Sequence, residues 1–207
     1  MKQSKRQSPW KTASFGGDNT GPLSDIKVLD MSRLVAGNMA SLQLADFGAE
    51  VIKIEPLPAG DPLRSWKQGG ETTFWKVYAR NKKSIGLDFR SSDFPDIMTG
   101  LIKTADVLIE NFRPGTLEKM GLGLDRLHAI NPGLILLRVS SFGQTGPYSA
   151  RPGFGTLVES MSGFAHRNGE CGGGPLLPPL ALADMISGLY GANAVSMALR
   201  ARDRTGK

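Results

Sequence analysis

The sequence has one cysteine, Cys171, and two histidines, His128 and His166, well separated in the chain. A single thiol excludes an internal disulfide framework, a CxxC redox pair and a cysteine metal cluster. Two distant imidazoles argue against a histidine-built metal site, so no metal is expected. No run of about 18 uncharged apolar residues is present to span a bilayer, and no membrane partner is expected. The N-terminal segment has no apolar core of a signal peptide. What is plentiful is glycine, 26 residues, and proline, 13, against 40% hydrophobic and 21% charged residues. That apolar fraction is enough for a packed core.

The net charge of +6 sits at the ends. Residues 1–22 carry Lys2, Lys5, Arg6 and Lys11 against Asp18, and residues 200–207 carry Arg200, Arg202, Arg204 and Lys207 against Asp203, so each end contributes +3 and the middle is neutral. Basic ends on a neutral body are solvated tails rather than a binding stripe, and no nucleic-acid partner is expected. Residues 1–22 lack apolar periodicity and are expected to be a disordered basic tail, with 23–207 forming one α/β domain.

Order begins at Ile26. Ile26–Met31 is a strand candidate, Gly37–Phe47 a helix ending at Gly48, and Val51–Ile54 a second strand, which together make a βαβ unit. Residues 56–80 are loop-rich, with Pro56, Pro58, Gly60, Pro62, Gly69 and Gly70. Ser84–Phe89, Val107–Ile109 and Leu134–Val139 follow as strands. Phe94–Lys103, Thr116–Met120 and Asp125–Ile130 fall between them as helices, the last stopped by Asn131-Pro132-Gly133. The alternation predicts a doubly wound, mainly parallel, Rossmann-like sheet flanked by helices. Past Ser140, Thr156–Ala165 reads as a helix, and Ala181–Arg202 as a long C-terminal helix. That helix is expected to have an apolar face (Leu182, Ile186, Leu189, Val195, Leu199) and a small-residue face (Gly188, Gly191, Ala192), each needing a partner. Thr205-Gly206-Lys207 is a helix stop leading into a loop, which points to truncation before a second domain.

Asp184 is the residue most able to carry chemistry. It stands in the first turn of the long helix, after Pro178-Pro179. A helix-terminal carboxylate stabilised by the dipole is one reading, and a nucleophile reached through a Gly/Pro loop is the other. Arg80, Lys82 and Lys83 precede a strand and Arg113 follows one, where α/β folds bind phosphates; a solvated charge run is the alternative. Gly153-x-Gly155 lacks the strand and third glycine of a dinucleotide fingerprint. Cys171 has no neighbouring base, and both histidines read as structural or exposed.

These segments, in order, resemble the family III CoA-transferases. The matching stretches are Val28-Leu29-Asp30 with Ala36-Gly37, then Leu44 to Pro56 (LADFGAEVIKIEP), Arg80-Asn81-Lys82-Lys83-Ser84-Ile85 with Leu87-Asp88, Ala105 to Gly115 (ADVLIENFRPG), Gly143 to Tyr148 (GQTGPY), and Ala183-Asp184 with Gly188-Leu189-Tyr190. The resemblance implies an acyl-CoA:carboxylate CoA-transferase in which Asp184 is the nucleophile, passing through an aspartyl-acyl anhydride and an aspartyl-CoA thioester. It implies CoA contacts at Leu34, Val35, Ala36, Pro56, Arg80, Lys82, Lys83 and Arg113. Coenzyme A or acyl-CoA would be substrate rather than a tightly bound cofactor, with a carboxylic acid as acceptor. It further implies a cytoplasmic protein (mitochondrial or peroxisomal in a eukaryote), homodimeric at full length, of about twice this length. Phe154 stands where the racemase branch has a histidine, and Val35 where the formyl-CoA transferase branch has a glutamine. A CoA-dependent racemase and a non-catalytic CoA-binding or partner subunit remain as alternatives.

Overall fold

The computed structural model describes residues 20–169 and 172–206. The expected tail lies almost wholly outside these residues, as does Cys171. Leu23 already docks, donating its N–H to Phe47 O at 3.0 Å.

Five strands form one parallel sheet in the order β3-β2-β1-β4-β5: β1 Lys27–Asp30, β2 Glu50–Pro56, β3 Lys82–Leu87, β4 Val107–Glu110 and β5 Ile135–Arg138. The adjacent inner strands β1 and β4 are the most buried, because helices cover both of their faces. Alternate residues point to opposite layers. Leu29 and Leu108 join Phe94, Met98, Ile102, Leu117 and Leu127, from α3 (Phe94–Ile102), α4 (Thr116–Lys119) and α5 (Leu124–Ile130). Val28, Val51, Val107 and Ile109 join Ala40, Leu44, Val195 and Leu199, from α1 (Ala36–Asp46) and the long helix α8 (Leu182–Thr205). Each fully buried side chain of this kind contributes about 1.5–3 kcal/mol over exposure.

Four sequence expectations change. The segment 56–80 is not all loop. It holds a 3₁₀ turn, Pro62–Ser65, and α2, Thr73–Tyr78, whose Phe74, Trp75 and Tyr78 pack with Val35, Leu42 and Leu63. Thr156–Ala165 is two helices, α6 (Gly155–Met161) and α7 (Phe164–Arg167), because Gly163 takes φ +82° between them. β3 begins at Lys82, so the basic run enters the strand instead of preceding it. On α8, Val195 and Leu199 fall on the same inward stripe as Gly188, Gly191 and Ala192, a helical spacing, whereas Ile186, Leu189, Tyr190 and Met197 are exposed.

The stripe explains how α8 sits. A Cβ at Gly188 would lie 2.7 Å from Ala36 O and 2.6 Å from Met39 Cβ, so only glycine lets α8 approach α1 this closely. That contact carries the start of α8 to the C-terminal edge of the sheet. The chain leaves β1 toward β2 on one side and β4 toward β5 on the other, which opens a crevice between the ends of β1 and β4.

Candidate active site

A pocket of about 160 Å³ opens at that crevice. Its walls are Arg33 and Leu34 after β1, Asn111 after β4, Ser140 and Ser141 after β5, Phe154 and Gly155 at the start of α6, and Asp184 on α8. The loops after β1 and β4 are tied together. The Asn111 side chain accepts from Arg33 N–H at 2.8 Å through Oδ1 and donates to Arg33 O at 2.7 Å through Nδ2, much as a neighbouring strand would. Arg33 lies 5.9 Å from the Phe112 ring centroid.

Asp184 is the third residue of α8. Burial pushes its carboxyl above the usual range, and the nearby Glu159 carboxylate adds to this; its own backbone N–H and that of Ala36 pull the other way. The carboxylate fills space vacated by a missing side chain, since a Cβ at Gly155 would collide with Asp184 Oδ2. Gly155, discounted as part of a nucleotide fingerprint, therefore has a different use: it seats the carboxylate.

Beneath the pocket lies a charged cluster that sequence reasoning missed. Lys53 is 1% exposed, and its Nζ stands 3.2 Å from Asp30 Oδ1 and 3.2 Å from Asp61 Oδ2. Asp61 Oδ1 accepts from Leu34 N–H at 3.0 Å and Leu63 N–H at 2.9 Å, and Oδ2 accepts from Asn38 Nδ2 at 2.7 Å. These bonds hold Leu34 in a left-handed conformation, φ +62°, which a leucine adopts only under such constraint. Asp30 accepts from Ser32 and Ser41 as well. Burial raises its carboxyl, but Lys53, Lys82 and the two hydroxyls outweigh burial and hold it below the usual range. The signal for this cluster was a lysine amid the apolar residues of Val51–Ile54. A mid-strand charge in a parallel sheet requires a buried partner.

The expected CoA contacts separate into groups. Leu34 and Ala36 line the pocket, and Val35 is buried behind them at the start of α1. Pro56 ends β2, and Arg113 is exposed in the loop after β4, both at the same edge of the sheet. Arg80 and Lys83 are at the opposite edge, where β3 begins. Arg80 pairs with Asp46 at 2.5 Å and Lys83 with Glu50 at 2.5 Å. Lys82 turns inward: its Nζ is 2.9 Å from Asn38 O and 3.4 Å from Asp30 Oδ2. Burial lowers the Lys82 ammonium to about 8 despite the Asp30 charge. The structure thus does not bring these four cations into one phosphate-binding group. His128 Nε2 lies 3.2 Å from Leu134 O, and His166 is exposed.

Comparison with known proteins agrees with this layout. The family model described as CoA-transferase family III matches residues 23–207. The chain is 44% identical over 189 residues to a succinyl-CoA–D-citramalate CoA-transferase of Chloroflexus aurantiacus, covering 90% of this chain and 47% of that protein. It is 38% identical over 193 residues to the human succinyl-CoA:glutarate CoA-transferase, covering 92% and 44%. A crystal structure of a CaiB/BaiF family protein from Brucella suis superposes with a TM-score of 0.85 at 39% identity, over 90% of this chain and 51% of that one. The chain therefore spans about half the length of the curated relatives it matches. With the match running through both layers of the sheet and through the helix that carries Asp184, the chain belongs to CoA-transferase family III.

Proposed function

We propose that this chain carries the nucleophile of an acyl-CoA:carboxylate CoA-transferase, and that the nucleophile is Asp184. The observation that bears the reading is the placement of a single carboxylate in the first turn of α8, facing a pocket at the crevice between β1 and β4. A thioester is already activated, so an ionised carboxylate suffices to attack it. An Asp184 oxygen bonds to the acyl carbonyl carbon, the C–S bond breaks, and CoA leaves as a thiolate, giving a mixed anhydride. The thiolate attacks the aspartyl carbonyl, forming aspartyl-CoA and releasing the donor acid. The acceptor carboxylate attacks aspartyl-CoA and regenerates a thiolate and a new anhydride. Thiolate attack on the acceptor acyl carbon then frees Asp184 and the product acyl-CoA. Electrons and charge balance at each step with no external base.

Leu34, Val35, Ala36, Pro56 and Arg113 are the CoA contacts this reading favours, since they share the pocket's edge of the sheet. Arg80, Lys82 and Lys83 remain in the proposal only as contacts that would have to give up Asp46, Asp30 and Glu50. The matched transferases are named for succinyl-CoA and for dicarboxylic acids, which supports a short dicarboxylate as donor or acceptor here. Arg33 in the pocket wall is the cation suited to a second carboxylate. Racemisation is disfavoured because Phe154, at the mouth of the pocket, holds no proton to exchange. A homodimeric full-length form is part of the reading, supported by the exposed Ile186, Leu189, Tyr190 and Met197 on α8.

The test is covalent trapping in the intact protein. Incubation with succinyl-CoA followed by hydroxylamine should leave a hydroxamate on the peptide containing Asp184, read by mass spectrometry. Its absence, together with continued transfer by Asp184→Asn, would overturn the assignment.

A further inference from the structure

α8 begins without a local cap. Its N-cap residue, Ala181, provides no side-chain hydrogen bond to the exposed N–H groups of the first turn. The bond comes from another helix. Glu159 of α6, 5% exposed, accepts from Ala183 N–H at 2.9 Å through Oε1. Ala183 immediately precedes Asp184. Gly155, four residues before Glu159 and therefore on the same face of α6, is the residue whose missing Cβ makes room for Asp184 Oδ2. One face of α6 thus meets the first turn of α8 at two points, one shaped by absence and the other by a charged acceptor.

We propose that Glu159 is a positioning residue for Asp184: it caps the helix that carries the nucleophile and fixes a second negative charge beside its carboxylate. The inference rests on the reading of Asp184 as nucleophile. A capped first turn holds the attacking oxygen at one orientation, which matters because small misplacements of a nucleophile are costly. The added charge makes Asp184 more basic, hence a stronger nucleophile once ionised, while confining the ionised form to higher pH. The other charged or titratable groups around Asp184 are few. Arg33 lines the pocket from the loop after β1, and the hydroxyl of Tyr78 on α2 is raised mainly by burial and further by the Asp184 charge. α1 presents Ala36, and the segment after β5 presents Val139, Ser140 and Ser141, none of which titrates.

Two substitutions separate cap from charge. Glu159→Gln keeps an oxygen for Ala183 N–H and removes the charge. Glu159→Ala removes both. In the intact protein, with succinyl-CoA as donor and glutarate as acceptor, Glu159→Gln should move the acid limb of the kcat/KM profile to lower pH by about half a unit or more, with KM changed less than about twofold. Glu159→Ala should lose about tenfold or more in kcat at every pH while KM for succinyl-CoA holds. A Glu159→Gln profile superimposed on the parent's, or a parent-like kcat in Glu159→Ala, overturns the proposal. Should the alanine variant fail to fold, the glutamine profile decides alone. Asp184→Asn is measured in parallel. If it is inactive while Glu159→Gln is unshifted, the positioning role alone fails; if it turns over like the parent, the nucleophile reading fails first.

Discussion

The Asp184 carboxylate occupies the volume that a side chain at Gly155 would take. Gly155 opens α6 in a helical setting, where glycine is otherwise a poor choice. Replacing it with alanine helps the helix and harms the site. Gly155→Ala should therefore leave the melting temperature within about 2 °C while lowering kcat about 100-fold, because Asp184 must rotate away. Steady-state kinetics beside a thermal melt checks this; unchanged kcat would show that Asp184 has room elsewhere.

A partly buried carboxylate held above its usual range works against the fold. Asp184 binds its proton more tightly folded than unfolded, so its contribution is greatest at low pH and is lost as pH rises through its raised value. Asp184→Asn should accordingly raise the melting temperature at pH 7 by about 2–4 °C, the shift that ~1 kcal/mol gives in a chain of this size. The gain should shrink toward pH 4. An increment independent of pH would assign it to packing.

Glu55 has the opposite sign. Burial raises its carboxyl, but hydrogen bonds from Arg64, Ser84 and Asp61 N–H overcome this and hold it at about 2, against 4.5 unperturbed. Its stabilisation is present above pH 4.5 and is lost as pH falls toward 2. Glu55→Gln should cost about 1–2 kcal/mol at pH 7, moderated because Arg64 reaches solvent, and almost nothing near pH 2. Urea titrations across that window give the answer; a constant difference at all pH values would contradict it.

The buried cation predicts a larger loss. Asp61→Ala leaves Lys53 with Asp30 as its remaining carboxylate, beside the Ser32 carbonyl, and frees the Leu34 and Leu63 N–H groups. Breaking one partner of a sealed pair typically costs about 3–5 kcal/mol. Chemical denaturation should show that loss, and CoA binding should weaken with it, since Leu34 can relax from φ +62°. A loss under ~1 kcal/mol would mean that water enters the cluster.

The sheet was legible because buried parallel strands read as unbroken apolar runs. Val107–Ile109 needed no context, and Val51–Ile54 reads as a strand despite the interruption at Lys53. α2 was hidden because Pro56, Pro58, Gly60 and Gly69 precede it, and its Phe74 and Trp75 find apolar partners only once Val35 and Leu63 are in place. Asp184 was legible as a first-turn carboxylate. Its seat was not, since Gly155 and Glu159 lie 29 and 25 positions away in the chain and act across a helix contact. The separation of the basic run was hidden for a related reason. A strand written as Lys82-Lys83-Ser84 alternates in direction, so neighbouring lysines part company, one to a buried carboxylate and the other to the surface.

The amide of Asn111 stitches two loops that the topology sends in opposite directions. Those loops form one wall of the pocket, so that wall moves as a unit or not at all. The facing side is built separately, with Gly153 and the outward-turned Phe154 preceding α6. That facing side carries Gly155, so any shift there moves the surface against which the Asp184 carboxylate rests.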